Sequence, residues 1–109
     1  ENPNNLTVAV VMGVNALKQG HSASIILMVH AVALGQPGAA NGVDIGAPFP
    51  EVGGQLEEFL KLGGQVCICN ACMEHNGFQA DQMDPRYVLI NAPDVVRLLM
   101  GAKGSLQIT

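Results

Sequence analysis

"QVCICNACMEHNGF", residues 65 to 78, contains all three cysteines of the chain and sets the predicted fold around them. "QVCIC" is typical of a short buried strand, whereas "ACMEHNGF" is typical of a short helix that ends at Gly77. Side chains alternate along a strand, so Cys67 and Cys69 should lie on one face and Val66 and Ile68 on the other. Cys69 is then at the carboxyl end of the strand, where ligands and chemistry collect in open α/β sheets.

The segments on either side repeat the alternation of helix and strand. "ASIILMVHAV", from residue 23, is nearly continuously apolar, as in a strand that is covered on both faces of a parallel sheet. We predict strands at 24–30, 65–69, 86–90 and 105–108, with helices between them and a first helix that stops at Gly20. Residues 1–109 should form a single three-layer α/β domain with a mainly parallel sheet and helices on both faces.

Two segments fall outside this alternation. Residues 35–50 are rich in Gly and Pro without periodicity, which predicts a long loop of the kind that is often functional. The chain begins with a loop and a helix, whereas α/β units normally begin with a strand. We therefore expect the first strand of the natural protein to lie upstream of Glu1.

The composition limits the classes of partner. Charged residues make up 13% of the chain, against about 25% in an ordinary domain. Such a low charge predicts that apolar surface is hidden in a homo-oligomer. The net charge is −4, no basic cluster occurs and aromatic residues are 4% of the chain, which argues against nucleic acid as a partner.

The location is predicted from hydropathy and cysteine usage. The longest apolar run, residues 25–34, contains His30 and reaches only about half of a bilayer span, so no membrane partner is expected. An odd number of closely spaced cysteines favours a reducing compartment, and we predict a cytoplasmic protein.

Four interpretations of the cysteines remain open on the residues alone. Cys69 precedes a helix start that Asn70 could cap, and the free amides there favour a nucleophilic thiolate. Cys72 completes Cys-x-x-Cys, the spacing of a redox dithiol. Cys67, Cys69, Cys72 and His75 could bind a metal, although structural zinc sites usually draw on two separated ligand pairs. All three cysteines could instead be core residues, and Cys67 fits that interpretation best.

The remaining polar residues are weaker candidates. His75 follows Cys72 by three residues on the same helical face and could support thiolate formation. His30 lies in or at the end of an apolar strand, where it either forms core hydrogen bonds or lines the site. Glu57, Glu58 and Lys61 are interpreted as the solvated face of a helix, with no chemistry assigned to them.

"GGQVCICNACMEHNGF" resembles the DsrE/DsrF-like family of sulfur-relay proteins, which includes the Tus proteins. In that family a cysteine ends a strand after a Gly-containing turn, and a glycine closes the short helix eight residues later. Cys69 and Gly77 match that spacing. "NALKQGHSASIILM" is similar to the family's first helix and second strand, and "VLINAPDVVRLLMGAKGSLQIT" to its last strand, helix and strand.

The resemblance implies a small sulfur carrier or sulfurtransferase that relays persulfide sulfur through Cys69 between donor and acceptor proteins. It also implies a trimer or hexamer, and we predict no bound cofactor. Cys72 departs from the family pattern, which leaves persulfide transfer and dithiol redox chemistry both open. The alternative is a non-catalytic oligomeric module whose cysteines bind a metal or act as a redox switch. We predict that thiol reactivity decreases from Cys69 to Cys72 to Cys67.

Overall fold

Three parallel strands form the sheet, and they follow one another across it in chain order. The computed structural model of the chain describes residues 2 to 107. The strands are β1 (Ser24–Leu27), β2 (Gln65–Cys69) and β3 (Val88–Ile90). β2 is the central strand, and its Cys67 is paired with Ile26 of β1 and with Val88 of β3. The cysteine-containing segment is therefore the centre of the sheet.

Within residues 2 to 107, four α-helices and two short 3₁₀ helices surround the sheet. The α-helices are α1 (Pro3–Lys18), α2 (Val52–Lys61), α3 (Asn70–His75) and α4 (Ala92–Gly101), and the 3₁₀ helices span Val29–Gly35 and Ala80–Gln82. α1 begins at Pro3, because the Asn2 side chain accepts a 2.9 Å hydrogen bond from the Asn4 amide and Pro3 occupies the first turn. None of the described helices is both long and apolar enough to cross a bilayer.

The helices cover both faces of the sheet, as predicted. Val66 and Ile68 of β2 pack against Val14 of α1 and Phe59 of α2 in the main core. On the opposite face, buried Cys67 packs with Ile90 of β3 and Val95 of α4. The alternation of side chains along β2 is thus observed, and the chain forms the α/β layered domain that its sequence predicts.

The main core closes tightly around the ring of Phe59, which is fully buried. Two glycines make this packing feasible. A β-carbon at Gly64 would lie 2.5 Å from ring atoms of Phe59, and one at Gly13 in α1 would lie 2.9 Å from the same ring. Both distances are too short for a carbon–carbon contact, so the absence of a side chain at these positions lets α1 and the turn before β2 approach α2.

The predicted strand at 24–30 is too long at its carboxyl end. β1 stops at Leu27, and Val29 has a left-handed φ of 56° and begins a 3₁₀ helix. A left-handed residue cannot continue a pleated strand. His30 therefore lies in the 3₁₀ helix and not in the sheet.

Two other predicted strands also differ from the structure. The strand predicted at 86–90 begins at Val88, because Arg86 and Tyr87 are held in a turn by hydrogen bonds from their amides to Asp84. Of the strand predicted at 105–108, residues 105–107 have no strand structure and no ladder partner, and residue 108 lies outside the described residues. The apolar character of Leu106 made this segment look like a strand, but Leu106 is exposed.

The long loop predicted at 35–50 is present as turns and irregular backbone after the 3₁₀ helix ends at Gly35. Its end is fixed by Glu51, whose carboxylate accepts hydrogen bonds from the amides of Gly42, Gly53 and Gly54. These bonds, that of Gly42 first, lower the pKa of Glu51. Ala40 packs with Val10 of α1 and Val52 of α2, so the loop contacts the outer helices.

Candidate functional site: a pair of thiols at the end of the central strand

Cys69 ends β2 and is also the residue that caps α3. Its φ of −66° and ψ of 114° are those of an N-cap, and α3 begins at the next residue, Asn70. The predicted cap by Asn70 is therefore wrong by one position. The Cys69 side chain makes no capping hydrogen bond to the first-turn amides, so the predicted contact between the Cys69 sulfur and the helix start is not present.

α3 is held at its other end by a tight turn. Gly77 has a φ of 84°, and its amide bonds to the carbonyl of Glu74 at 3.0 Å while the Phe78 amide bonds to that of Met73 at 3.0 Å. This pair of bonds is a Schellman motif, which needs a left-handed residue and therefore favours glycine. Phe78 then packs against the main core. Gly77 closes the short helix, as its position in the sequence predicts.

Cys72 lies in the first turn of the helix that Cys69 caps, and the Cys69 thiol is close enough to act on the pKa of Cys72. Neither takes part in a disulfide, and Cys67 is also a free thiol. The backbone N–H of Val29 donates a hydrogen bond to the Cys72 sulfur. The sequence predicted that first-turn amides of α3 would face the Cys69 sulfur. The structure instead has the amide of Val29, which follows β1, facing the Cys72 sulfur.

Four effects act on the pKa of Cys72. The hydrogen bond from Val29 lowers this pKa, whereas the hydrogen bond with Cys69, burial, and the charge of Cys69 each raise it. The net result is a raised pKa for Cys72. The neighbouring Cys69 thiol therefore disfavours the thiolate form of Cys72.

Val29 is held in an unusual backbone conformation beside this pair. It is the single described residue other than glycine with a positive φ, and it is β-branched, for which the left-handed region is costly. Its side chain is 58% exposed, so core packing does not impose the conformation. Both of its backbone polar groups are engaged instead, the N–H by Cys72 and the carbonyl by Asn76.

Asn76 joins α3 to the segment that begins at Val29. Its Nδ2 donates to the carbonyl of Cys72 at 2.8 Å and to that of Val29 at 3.3 Å, and its Oδ1 lies 3.3 Å from Nδ1 of His30. Asn76 was not among the predicted site residues. An asparagine next to a glycine at a helix end is a recognisable C-terminal signal, but its contacts reach back 46 and 47 residues and no local pattern indicates them.

The three thiols differ in exposure. Cys67 is 1% exposed and Cys69 is 6% exposed, whereas Cys72 is partly exposed. Burial raises the pKa of Cys67, and the charge of Asp94 raises it further. Cys67 is therefore a poor nucleophile. Between the other two, exposure runs opposite to the reactivity order predicted from the sequence, because Cys72 is the more accessible sulfur.

The histidines contribute unequally. His30 is exposed and is connected to the thiol pair through Asn76. His75 lies exposed in the last turn of α3, and its ring makes no hydrogen bond to any residue between 2 and 107. Within the same residues, no three His, Cys, Asp or Glu side chains are grouped closely enough to hold a metal ion. The cysteines and His75 do not converge as the metal interpretation requires.

A second polar cluster lies away from the thiols, at Asp84, Arg86 and Glu57. The guanidinium of Arg86 bonds both carboxylate oxygens of Glu57, at 2.8 and 2.9 Å, and Asp84 Oδ2 at 2.8 Å. Hydrogen bonds from Arg86 are the main cause that lowers the pKa of Asp84 and that of Glu57. Glu57 was predicted to be merely solvated, and the sequence gives no sign of a partner 29 residues away. The two carboxylates neutralise the charge of Arg86, and none of these side chains is a free nucleophile.

The fold and the thiol pair define a small α/β domain with two adjacent free thiols at the carboxyl end of its central strand. No family model, curated protein sequence or solved structure matches this chain. The likeness to DsrE/DsrF-like proteins therefore stands on the quoted residues alone.

Proposed function

We propose that this protein is a sulfur carrier, or a sulfurtransferase-like protein, that relays persulfide sulfur through Cys69. The observation that supports this most strongly is the contact between the free thiols of Cys69 and Cys72 at the carboxyl edge of the sheet. Two adjacent thiols, one covered and one partly exposed, suit chemistry in which sulfur is exchanged between cysteines. The spacing of Cys69 to Gly77, which resembles that of DsrE/DsrF-like proteins, adds to this support.

The chemistry needs only thiolates and persulfides. The Cys69 thiolate attacks the outer sulfur of a donor protein's persulfide, the donor leaves as a thiolate, and Cys69 carries the persulfide. An acceptor protein's thiolate then attacks the outer sulfur and restores the Cys69 thiolate. The 6% exposure of Cys69 would shield the inner sulfur of the persulfide from solvent, while the outer sulfur extends toward the surface.

We further propose that the protein works in the cytoplasm as a homo-oligomer, a trimer or a hexamer. Free cysteines are maintained in a reducing compartment. α4 presents apolar residues on the side away from the sheet, where Val96 is 57% and Met100 is 79% exposed. Burial of this side in a subunit interface would account for a chain with so few charges. Light scattering that gives the 11.4 kDa monomer at micromolar concentration would contradict the oligomer.

The carrier function is tested by loading the protein with inorganic polysulfide, removing the excess and measuring the intact mass. We expect one added sulfur atom per chain, which a small thiol acceptor then removes. Cys69→Ser should abolish this loading. Cys67→Ala is the matched control on the same strand face, and it should load as the wild type does.

Two results would contradict the carrier function. The first is a Cys69→Ser protein that loads normally. The second is stoichiometric metal in protein purified without chelator, because a metal would occupy the thiolates that the carrier needs. That second result would support the alternative, a non-catalytic module whose cysteines bind a metal. Cys69 to Cys72 disulfide formation without sulfur transfer would support a redox switch instead.

A further inference from the structure

We propose that the thiol pair gives this protein a second activity, the release of bound sulfane sulfur as sulfide when Cys72 attacks the persulfide on Cys69. This proposal rests on the proposed carrier function, because it concerns what happens to the sulfur once it is bound. A carrier with a single cysteine cannot carry out this reaction. In the present protein the reaction would limit the time for which sulfur stays bound.

The contact between the sulfurs selects which atom is attacked. In the free protein Cys72 lies in the first turn of the helix that Cys69 caps, and its thiol adjoins that of Cys69, whose sulfur becomes the inner sulfur of the persulfide after loading. Attack on the inner sulfur requires only that the two adjacent sulfurs approach to bonding distance, so the geometry favours disulfide formation.

Loading also changes the effects that act on Cys72. In the free protein the hydrogen bond with Cys69 and the charge of Cys69 both keep Cys72 protonated. Once the Cys69 sulfur is bonded to a second sulfur, it is a weaker acceptor, and the charge of an ionised persulfide lies on the outer sulfur and not on the atom that adjoins Cys72. The hydrogen bond from Val29 lowers the pKa of Cys72, and after loading the effects of Cys69 that raise this pKa are weaker. A bound persulfide thus favours the thiolate that attacks it.

The step is balanced without an external oxidant. Cys72 gives its thiol proton to the outer sulfur of the Cys69 persulfide, and the resulting thiolate forms a bond to the inner sulfur. The bond between inner and outer sulfur breaks, and the outer sulfur leaves as HS⁻ with that proton and the electron pair. The sulfane sulfur is reduced to sulfide while the two cysteine sulfurs are oxidised to a disulfide. A dithiol reductant restores both thiols, and one cycle therefore converts one sulfane sulfur to one sulfide.

Val29 and Asn76 are positioning residues for this step. The Val29 N–H faces the attacking sulfur, and Asn76 ties the carbonyl of Val29 to that of Cys72. Loss of the Asn76 side chain frees both carbonyls and loosens the segment that supplies the amide. Asn76→Ala should therefore slow sulfide release several-fold while the amount of sulfur first loaded stays the same.

The experiment follows wild type and Cys72→Ala after loading with inorganic polysulfide and rapid removal of the excess. In the wild type, we expect sulfide to appear as the added sulfur is lost, and peptide mapping to find Cys69 bonded to Cys72. Cys72→Ala should hold the sulfur that it takes up at least ten times longer than the wild type does, with no disulfide. Circular dichroism of each variant confirms that it is folded.

The outcomes separate the two proposals. If the wild type and Cys72→Ala load and retain sulfur equally long, sulfide release by Cys72 is wrong and the carrier function stands. If neither protein loads, both proposals are wrong. If the wild type forms the disulfide but Cys72→Ala releases sulfide at the same rate, sulfide release does not need Cys72, and the proposal is overturned.

Discussion

The 3₁₀ helix Val29–Gly35 has two very different ends. At Gly35 the backbone is buried, it lies against Ile68 and Met83, and its carbonyl accepts a 2.8 Å hydrogen bond from the Asp84 amide. At Val29 the backbone is left-handed and exposed, and its carbonyl is held by a 3.3 Å bond from Asn76. One end is fixed by the core, and the other is held in a costly conformation beside two thiols.

Within this one segment of seven residues, one end contributes to the stability of the fold and the other lies beside the thiols. Conformations that cost free energy persist where the surrounding structure determines them, and they are found disproportionately at functional sites. Packing at the Gly35 end holds the 3₁₀ helix in place and so maintains the conformation of Val29 at its other end. We therefore expect substitutions at the Gly35 end to change the free energy of unfolding, and substitutions at the Val29 end to change the thiol chemistry instead.

The largest effect on stability is expected for Gly35→Ala. A β-carbon there would lie 2.5 Å from Cδ1 of Ile68 and 2.8 Å from the sulfur of Met83, which are both buried side chains. Overpacking of this kind costs about 1–3 kcal/mol, and we expect a value near the upper end. Urea unfolding measures it. Gly101→Ala, at the end of α4 where a β-carbon meets no atom within 4 Å, is the control and should not destabilise the protein.

Asp84→Asn should have the next largest effect. Asp84 is 6% exposed and accepts hydrogen bonds from the Arg86 amide at 2.9 Å and from its guanidinium at 2.8 Å. Replacement of the carboxylate by an amide weakens these charge-assisted bonds and should cost about 1–2 kcal/mol. Glu57→Gln removes the exposed carboxylate on the same guanidinium and should have little effect on the urea midpoint. If Asp84→Asn and Glu57→Gln lose the same free energy of unfolding, the burial of Asp84 does not make its carboxylate more stabilising than that of Glu57.

The same carboxylate predicts a dependence of stability on pH. Hydrogen bonds from Arg86 lower the pKa of Asp84 in the folded protein. The stabilisation is therefore present above the unfolded-state pKa of about 4 and is lost as the pH falls through the lower folded-state pKa. The difference in unfolding free energy between wild type and Asp84→Asn should shrink below about pH 4. A difference that grows in acid would contradict the assigned direction of the shift.

Val29→Gly should have the smallest effect on stability and a clear effect on chemistry. Glycine removes the left-handed strain of about 1–2 kcal/mol but loses more backbone entropy on folding, so a net gain below about 1 kcal/mol is expected. Val29→Ala keeps the strain and should give no gain. Because glycine leaves the segment less restricted, sulfide release should slow in Val29→Gly relative to Val29→Ala. A destabilised Val29→Gly protein would show that the valine side chain determines the conformation.

The sequence predicted the half of the site that local patterns encode. "QVCIC" predicted a buried strand and its alternation, and Gly77 predicted the end of α3, because strand periodicity and helix termination depend on neighbouring residues. β1 ends earlier than predicted because Val29 has a left-handed backbone. The prediction missed this because a valine in an apolar run carries no local sign of a positive φ. Asn76 and Arg86 act through contacts with distant segments, which the sequence does not display. The predicted strand at 105–108 shows the converse, an apolar pattern that forms no ladder at residues 105–107.

The comparison of thiols is the most direct test of the central claim that chemistry belongs to the Cys69 and Cys72 pair and that Cys67 is a core residue. The folded protein is treated near neutral pH with a limiting amount of a small alkylating probe, and the label is located by peptide mapping. We expect label on Cys69 and Cys72, and on Cys67 only after unfolding in urea. Labelling of Cys67 in the folded protein as fast as the other two would contradict it.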